Sequence, residues 1–415
     1  MIFSKRSYTI AEAQSLPRWR RPDMLLYVMA AAMPIAFATW SALLNNFVIE
    51  AAGFTGREIG WLHSLREVPG LLAIGVIVLL WVIREQVLAL IALLLLGLAT
   101  AITAAFPSFG GLMVVTFLSS VGFHYFETVN QSLQLQWIDK SRAPQTLGRI
   151  VAVGSGASLV AYGLLMLTWK TFDLSYNTVY AISGGTTAVI AVACALLWPR
   201  FEAPEPQLKT FVLRRRYWLY YAMQMMAGAR RQIFVVFAAF MMVEKYGFQV
   251  HEITGLFVIN YLANTIAAPM MGRAVGRFGE RAALVFEYSG LISVFLAYGG
   301  LYVMNWPVWV AGMLYVVDHL FFALAFAQRT YFQKIADAGD IAPTAAVAFT
   351  INHIAAVFLP ALLGYLWLQS PASVFGLAAG MAFISLLLAL LIPRHPEKGN
   401  ETRVTLTLAR LGLRV

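Results

Sequence analysis

The chain alternates long apolar blocks with short polar breaks, a pattern that predicts membrane-spanning helices. A helix needs about 20 apolar residues to cross about 30 Å of hydrocarbon. Uniform runs such as 88–98 lack the two-residue alternation of membrane strands. Twelve blocks reach the spanning length, namely 24–48, 57–82, 86–106, 109–136, 149–169, 177–198, 217–243, 252–272, 282–303, 307–328, 344–368 and 373–393. We therefore expect an all-α membrane protein with twelve transmembrane helices.

The composition agrees with many spans rather than with a single anchor. Apolar residues make up 60% of the 415 residues and charged residues 12%, and the mean hydropathy is +0.72. Soluble domains are about half apolar and about a quarter charged. These values exclude a soluble enzyme and, despite a pI of 9.7, a nucleic-acid-binding protein. The single cysteine, Cys194, excludes a disulfide scaffold.

The distribution of basic residues predicts the orientation of the spans. With both termini in the cytoplasm, 24 of the 30 Lys and Arg residues lie in cytoplasmic segments, three in outer loops and three inside spans. Cytoplasmic loops of membrane proteins carry such an excess. We therefore expect an integral, multi-pass protein, of the inner membrane if the source is bacterial, with anionic lipid attracted to its basic segments.

A short internal repeat divides the chain in two. Residues 53–62 read GFTGREIGWL and residues 247–256 read GFQVHEITGL, which agree at five of ten positions at a spacing of 194 residues. The spacing is close to half of the chain and coincides with six spans on each side. We predict two pseudo-symmetric six-helix bundles, with bounds of 1–23 for the N-terminal tail, 24–198 and 217–393 for the bundles, 199–216 for the cytoplasmic linker and 394–415 for the C-terminal tail.

The segment 272–281, which reads GRAVGRFGER, resembles the cytoplasmic loop motif G-x-x-x-D-R-x-G-x-R of the major facilitator superfamily. Gly276 stands where the family usually has an acid. The resemblance implies a secondary transporter that works by alternating access. The residues that it assigns to a cytoplasmic gate are Gly272, Arg273, Arg277, Gly279 and Arg281. We expect Glu287, in the next span, to pair with one of these arginines.

Ionisable residues lie inside several predicted spans, where a charge costs several kcal/mol and normally faces a cavity or a partner. They include Arg66, Glu67, His124, Glu127, Arg230, Arg231, Asp318 and His319. Three of the ionisable residues are arginines and three are acids. Together they carry no net charge when every acid is ionised, and a net positive charge when one acid is protonated. This balance suggests either that an anionic substrate and a proton enter together or that a proton displaces a bound group. Structural ion pairs between helices are the alternative interpretation.

We expect the arginines to bind a small organic anion, because guanidinium pairs bidentately with carboxylate and phosphate. The candidate substrate-binding residues are Arg230, Arg231, Arg66, Asn260, Asn264, Gln131, Trp40 and Tyr261. The candidate proton-coupling residues are Asp318, Glu127, Glu67, His319 and His124. The expected partners are this substrate, protons and membrane lipids, and we expect a monomer without nucleic acid, metal, cofactor or catalytic residues.

Two other functions stay open beside proton-coupled anion transport. The 28 Phe, 11 Trp and 16 Met residues could line an adaptable apolar pocket, as in an exporter of drugs or other hydrophobic compounds. A scaffold or receptor that keeps a transporter fold would use the buried charges to hold its helices together. An enzyme is not expected, because the sequence has neither a cluster with metal-ligand spacing nor a phosphate-binding loop.

Overall fold

The computed structural model describes residues 7–72, 75–138, 143–202, 213–337 and 340–403. The helices are α1 (Pro22–Ala52), α2 (Gly56–Leu71), α3 (Gly75–Leu79), α4 (Glu85–Ile102), α5 (Phe109–Trp137), α6 (Ala143–Thr168), α7 (Tyr176–Leu197), α8 (Trp218–Gln232), α9 (Ala239–Glu244), α10 (Val250–Val303), α11 (Val308–Phe322), α12 (Phe326–Ile335), α13 (Ile341–Gln369) and α14 (Pro371–Leu390). A π-helical turn, Ile233–Ala238, joins α8 to α9. Two short strands, β1 (Ser7–Tyr8) and β2 (Arg200–Phe201), pair in parallel and are a small exception to the expected all-α architecture.

Among the described residues, ten helical segments are long and apolar enough to cross a membrane. They correspond to all the predicted spans except the second and the eighth. The second lies on α2 and α3, and the eighth lies on the first part of α10. Helix α2 is 16 residues long, which is too short to span by itself, and both segments carry polar side chains, such as Arg66 and Asn260, that lower the local hydropathy. The chain is therefore a multi-pass membrane protein, but the predicted number of twelve spans is not confirmed.

The chain forms two compact units. Unit 1 contains Met1–Phe54, Leu65–Leu208 and Phe248–Gly255, and unit 2 contains Thr55–Ser64, Lys209–Gly247 and Leu256–Val415. Compared with the predicted bundles, the start of α2 belongs to unit 2 and the start of α10 belongs to unit 1.

The start of α2 belongs to unit 2 because it packs closely on α13. A Cβ atom at Gly60 would lie 2.3 Å from the carbonyl oxygen of Pro360. One turn further along, the Ser64 hydroxyl accepts the backbone N–H of Ala361 at 2.9 Å. The rest of α2, from Leu65 onward, packs within unit 1.

Glycines allow α4 and α7 to approach closely in unit 1. A Cβ atom at Gly97 would lie 2.7 Å from the carbonyl oxygen of Gly184, and one at Gly184 would lie 2.4 Å from that of Gly97. Both distances are too short for a carbon atom. Membrane helices use small residues in this way, because lipid provides no hydrophobic driving force for their association.

The internal repeat is visible in the backbone. Gly53, after α1, has a φ of 63°, and Gly247, before α10, has a φ of 68°. This left-handed conformation costs other residues about 1–2 kcal/mol. In each copy the glutamate five residues later, Glu58 or Glu252, accepts a backbone N–H three residues before it at 2.9 Å. The two copies thus form the same turn and the same helix cap.

A second repeated segment, different from the first, follows α7 in one half of the chain and α14 in the other. Residues 197–200 and 391–394 both read Leu-x-Pro-Arg, again 194 residues apart. In unit 1 this segment leads into β2 and is covered by β1. Gln86 of α4 holds it by donating to the carbonyl of Pro199 and accepting the N–H of Phe201, both at 2.9 Å. Part of the predicted N-terminal tail is therefore folded against unit 1.

Candidate functional site

The candidate site in unit 1 begins with two neighbouring charges on α2. Arg66 donates to Oε1 of Glu67 from Nε at 3.2 Å and from Nη2 at 2.5 Å. Its guanidinium carbon lies 5.5 Å from the ring centroid of Trp40 on α1, in cation–π contact. The Glu67 side chain is 3% exposed and that of Arg66 is 16% exposed. Glu67 is thus buried, whereas the Arg66 side chain remains partly exposed.

Helix α5 joins this pair through Ser120 and His124. The Ser120 hydroxyl donates to the backbone carbonyl of Arg66 and lies 3.0 Å from Nδ1 of His124. Because a hydroxyl has one proton to donate, this geometry favours a proton on Nδ1 of His124. A ring nitrogen of His124 also lies within 4.8 Å of a Glu67 carboxylate oxygen. An acid, an imidazole and a guanidinium therefore meet in one place.

A small cavity opens beside Arg66. Aromatic rings and hydroxyl groups form the rest of its wall, which comprises Phe37, Trp40, Thr116, Ser119, Ser120 and Phe123. The rings of Phe37 and Phe123 stack with their centroids 4.4 Å apart. The volume of about 10 Å³ has room for about one water molecule in this conformation. A larger ligand would require these side chains to move.

The other candidate residues of α5, Glu127 and Gln131, bond to each other within the helix. Glu127 is hydrogen-bonded to Gln131 one turn along, and Gln131 is exposed. The Thr128 hydroxyl donates to the carbonyl of His124 at 2.8 Å. Of the predicted unit 1 residues, Trp40, Arg66, Glu67 and His124 thus come together at the cavity or beside it, whereas Glu127 and Gln131 do not line it.

A second buried group of charges lies in unit 2. Arg230, at the end of α8, donates to Glu287 of α10 at 3.1 Å, and both side chains are at most 1% exposed. The guanidinium carbon also lies 4.7 Å from the ring centroid of Tyr288. The expected pairing of Glu287 with a gate arginine is wrong, because Glu287 pairs with Arg230 and lies six residues, or about 9 Å, along the helix from Arg281. In this conformation Arg230 is enclosed and not open to a ligand.

Asp318 of α11 belongs to the same group. It is fully buried, and neither carboxylate oxygen has a hydrogen-bond partner among the described residues. The positive charge of Arg230 acts on the Asp318 carboxyl group. The charge of Asp318 in turn acts on the hydroxyl groups of Tyr298 and Tyr315. The group therefore contains one guanidinium and two carboxyl groups.

A distortion of the helix follows Arg230 directly. The backbone changes from α-helical to π-helical at Ile233 and returns to α-helical at Ala239. π-Helical turns are rare and occur frequently at functional sites. On this turn, Phe234 contacts the ring of His319 with centroids 6.2 Å apart. The wide turn thus lies beside both Arg230 and the predicted proton-coupling histidine.

The other predicted unit 2 residues lie outside this charged group. Arg231 follows Arg230 and its side chain is partly exposed. On α10, Asn260 is buried, whereas Asn264 and Tyr261 are partly exposed. The side-chain oxygens of both asparagines are buried and have no hydrogen-bond partner among the described residues. These side chains offer polar contacts outside the Arg230 group.

The predicted gate motif forms the bend inside α10. Gly279 has a φ of 83°, which interrupts the helix, so the motif's second glycine makes the turn. Glu280 next to it pairs with Lys334 of α12 at 2.7 Å. Arg277 lies over the ring of Phe278, and Arg273, Arg281 and Gly272 lie on either side of the bend.

Charged residues join the segment just before α8 to the connection between α12 and α13. Arg214 donates to both oxygens of Asp340, and the Tyr217 hydroxyl donates to Asp340 at 2.9 Å. The Arg214 hydrogen bonds lower the pKa of Asp340 to about 2, against the opposing effect of burial. Arg216 and Lys398 pair with Asp337. The ion pairs of Lys398 and Arg216 hold the pKa of Asp337 below its ordinary value.

Sequence reasoning missed the role of Glu287 and the hydroxyl wall of the cavity. Glu287 is one acid in an apolar run, which was a signal of function, but its partner lies 57 residues away in sequence. Thr116 and Ser119 resemble ordinary small residues of a membrane helix, and only the packing of α1, α2 and α5 shows that they share a cavity with Arg66.

Comparisons relate the chain to membrane transporters. A family model described as Major Facilitator Superfamily matches residues 25–360. A mutant of the nucleoside transporter NupG has a similar structure, with a TM-score of 0.73 and 14% identity over 89% of this chain and 99% of that chain. A bacterial homologue of the human lysosomal transporter Spinster, inward-facing and occupied, gives a TM-score of 0.67 and 13% identity over 89% and 95% of the two chains. No curated protein matches the sequence. At these identities the structural likeness shows the fold alone.

Proposed function

The chain belongs to the Major Facilitator Superfamily, and from this premise we propose that it is a proton-coupled secondary transporter of a small organic anion. Membership of this family and the transporter fold support membrane transport. The observation that carries the substrate class is the partly open guanidinium of Arg66 at the edge of an aromatic, hydroxyl-bearing cavity. Arg66 is therefore the proposed anchor for the anionic group of the substrate.

The pairing of Arg66 with Glu67 supports coupled entry of an anion and a proton. When Glu67 takes up a proton, Arg66 loses its counter-charge, and an anionic ligand restores it. Guanidinium can bind carboxylate or phosphate through two parallel hydrogen bonds, so the Nε and Nη2 donors of Arg66 that now meet Glu67 could bind the anionic group of the ligand. The stacked rings of Phe37 and Phe123 favour a substrate with a planar or apolar body.

The charge balance in unit 2 supports a second proton-binding group. Arg230 contributes one positive charge, and ionised Glu287 and Asp318 would contribute two negative charges. An uncompensated buried charge costs several kcal/mol, so the group is stable with one proton shared between the acids. Asp318 is the proposed carrier, because Arg230 donates to Glu287 while the Asp318 oxygens have no such donor among the described residues.

The substrate class is tested by counterflow in proteoliposomes loaded with aromatic carboxylates, aliphatic carboxylates or phosphate esters. Arg66→Gln is expected to abolish exchange of the anion that the natural chain transports. Arg57→Gln is the matched control, because Arg57 forms the same kind of pair with the next residue at the exposed end of α2, where its side chain is 52% exposed. Exchange of an anion by Arg66→Gln at the wild-type rate would contradict the proposal.

Proton coupling is tested by comparing uphill accumulation with counterflow. Asp318→Asn is expected to keep counterflow, which needs no proton gradient, and to lose accumulation driven by a pH gradient. Asp173→Asn, in an exposed turn, is the control. Uphill, pH-driven accumulation by Asp318→Asn would show that the transported proton binds elsewhere.

An uncharged nucleoside-like solute is the second candidate substrate. Arg66 and Arg230 are each paired with a carboxylate already, so an uncharged ligand would need no further charge compensation. The nucleoside transporter NupG has the same fold, and aromatic rings with nearby hydroxyl groups suit a planar base and a sugar. Counterflow of uridine by the natural chain, with no exchange of any anion, would select this alternative.

A further inference from the structure

An open pocket lies where α14 ends against the bend of α10. It has a volume of about 410 Å³ and is lined by Phe278, Arg281, Ala282, Val285, Leu390, Arg394 and His395. The basic side chains lie on the side that the charge distribution assigns to the cytoplasm, whereas the others are apolar. All of these residues belong to unit 2.

The basic side of this pocket brings several positively charged side chains close together. The groups whose charges act on Arg281 are Arg394 and Arg403. Glu280, the acid next to Arg281 in the sequence, pairs with Lys334 at 2.7 Å. Like charges held together in this way favour an anion between them, and arginine forms paired hydrogen bonds with phosphate.

Residues 391–403, which follow α14, are folded, and this holds the backbone of Arg394 and Arg403 in place. Arg403 donates its backbone N–H to the carbonyl of Leu391 at 2.8 Å, which closes the segment on itself. Tyr331 of α12 donates to the carbonyl of Glu401 at 2.7 Å. A preformed group of cations loses less conformational entropy when it binds an anion than a flexible tail would.

The internal repeat shows what occupies the corresponding place in unit 1. Segment 197–200 corresponds to 391–394, and in unit 1 it leads into β2, which β1 covers. Phe201, which corresponds to His395, is 7% exposed and packs on Trp137 with ring centroids 5.3 Å apart. In unit 2, the described residues include no such strand over the segment, and the pocket is open.

An exposed row of apolar side chains, here called the apolar path, runs along α14 from the basic residues of the pocket. Phe383, Leu387 and Leu390 are spaced four and three residues apart, so they share one face of the helix, and all three are exposed. On the α10 side, Phe278 is 66% exposed next to Arg281. A ligand that fits both parts of this surface carries an anionic head and a hydrocarbon chain.

We propose that this pocket binds an anionic phospholipid, with the phosphate of the headgroup between Arg281 and Arg394 and one acyl chain along Phe278, Leu387 and Leu390. Basic pockets beside membrane helices on the cytoplasmic side are suited to anionic headgroups. The apolar path selects a membrane lipid over free phosphate, which would use only the basic end. This site does not depend on the identity of the transported substrate.

The test measures lipid binding to the detergent-purified full chain by native mass spectrometry and by the change in melting temperature. Dioleoyl phosphatidylglycerol is compared with dioleoyl phosphatidylcholine, which has the same acyl chains, and with inorganic phosphate. We expect phosphatidylglycerol to bind about 30-fold more tightly than phosphatidylcholine, as two basic contacts predict. Equal binding of the two lipids, or equal protection by inorganic phosphate, would overturn the proposal.

Paired substitutions locate the site. Arg281→Gln combined with Arg394→Gln is expected to remove the preference for phosphatidylglycerol. Arg215→Gln combined with Arg329→Gln removes the same charge from exposed positions of unit 2 and is expected to keep it. If the first double variant does not fold, Phe278→Ser tests the acyl path alone and is expected to weaken phosphatidylglycerol binding. An unchanged preference in the first double variant, or unchanged affinity in Phe278→Ser, would place the lipid elsewhere.

Discussion

At the scale of single residues, Arg66 and Arg230 are neutralised in different ways. Arg66 pairs with the next residue in the chain, whereas Arg230 pairs with Glu287, 57 residues away. The sequence predicted that buried cations would have acidic partners, and it listed Glu67 and Asp318 among the acids. It could not assign Glu287 to Arg230, because that contact depends on how α8 packs beside α10.

Substitutions in the unit 2 group should separate a structural acid from a proton-binding acid. Glu287→Gln leaves Arg230 with a neutral partner and is expected to destabilise the protein by about 3–5 kcal/mol. Asp318→Asn removes a carboxyl group that has no hydrogen-bond partner among the described residues and is expected to leave stability unchanged or raised. Melting temperatures in detergent check this difference. An equal loss in both variants would contradict these roles.

Asp340 makes the stability of unit 2 depend on pH. Hydrogen bonds from Arg214 lower its pKa from 3.8 to about 2, so the folded state favours the carboxylate. The resulting stabilisation is complete above about pH 5 and is lost progressively as the pH falls through about 2. The melting temperature of Asp340→Asn should therefore lie below that of the natural chain at pH 7 and approach it at pH 3. A difference that does not change with pH would contradict this linkage.

At the scale of elements, close helix contacts depend on individual glycines. Gly184→Ala would place a Cβ atom 2.3 Å from the backbone nitrogen of Ala101, whereas a Cβ atom at Gly185 meets nothing within 4 Å. Overpacking costs about 1–3 kcal/mol, so Gly184→Ala should lower the melting temperature. Gly185→Ala is the neighbouring control and should leave it unchanged or raised, because alanine favours the helix. Equal melting temperatures for the two variants would contradict the close contact.

The same scale explains why two predicted spans were not recovered as apolar helices. Helix α2 carries Arg66 and Glu67, and the first part of α10 carries Asn260 and Asn264. These polar residues lower the hydropathy of each segment, and those of α2 also build the unit 1 site. In α2, the residues that lower the hydropathy are therefore also candidate functional residues.

At the scale of the whole molecule, the charge asymmetry predicts both termini in the cytoplasm. Cys194 is the only cysteine and is 1% exposed, so introduced cysteines can be labelled selectively. We expect a membrane-impermeant maleimide to label Lys170→Cys in intact cells and Glu397→Cys only in inverted vesicles, because basic segments remain inside. The reverse labelling pattern would invert the predicted orientation.

The sequence by itself determined the membrane class, the helical architecture, the family and the internal repeat. These follow from hydropathy, charge distribution and short motifs, which depend on residues near one another in the chain. The glycine of the gate motif at the bend of α10 was likewise readable from its local pattern.

Only the tertiary structure decided which buried charges pair, which of them line a cavity, and where a basic pocket opens at the end of α14. Each of these depends on bringing together residues that are far apart in sequence, such as Arg230 and Glu287, which form an ion pair, or Arg281 and Arg394, which line the same pocket. A hydropathy pattern gives the order and the length of helices, but it leaves their rotation and neighbours free. Packing fixes both, and packing therefore determines the site.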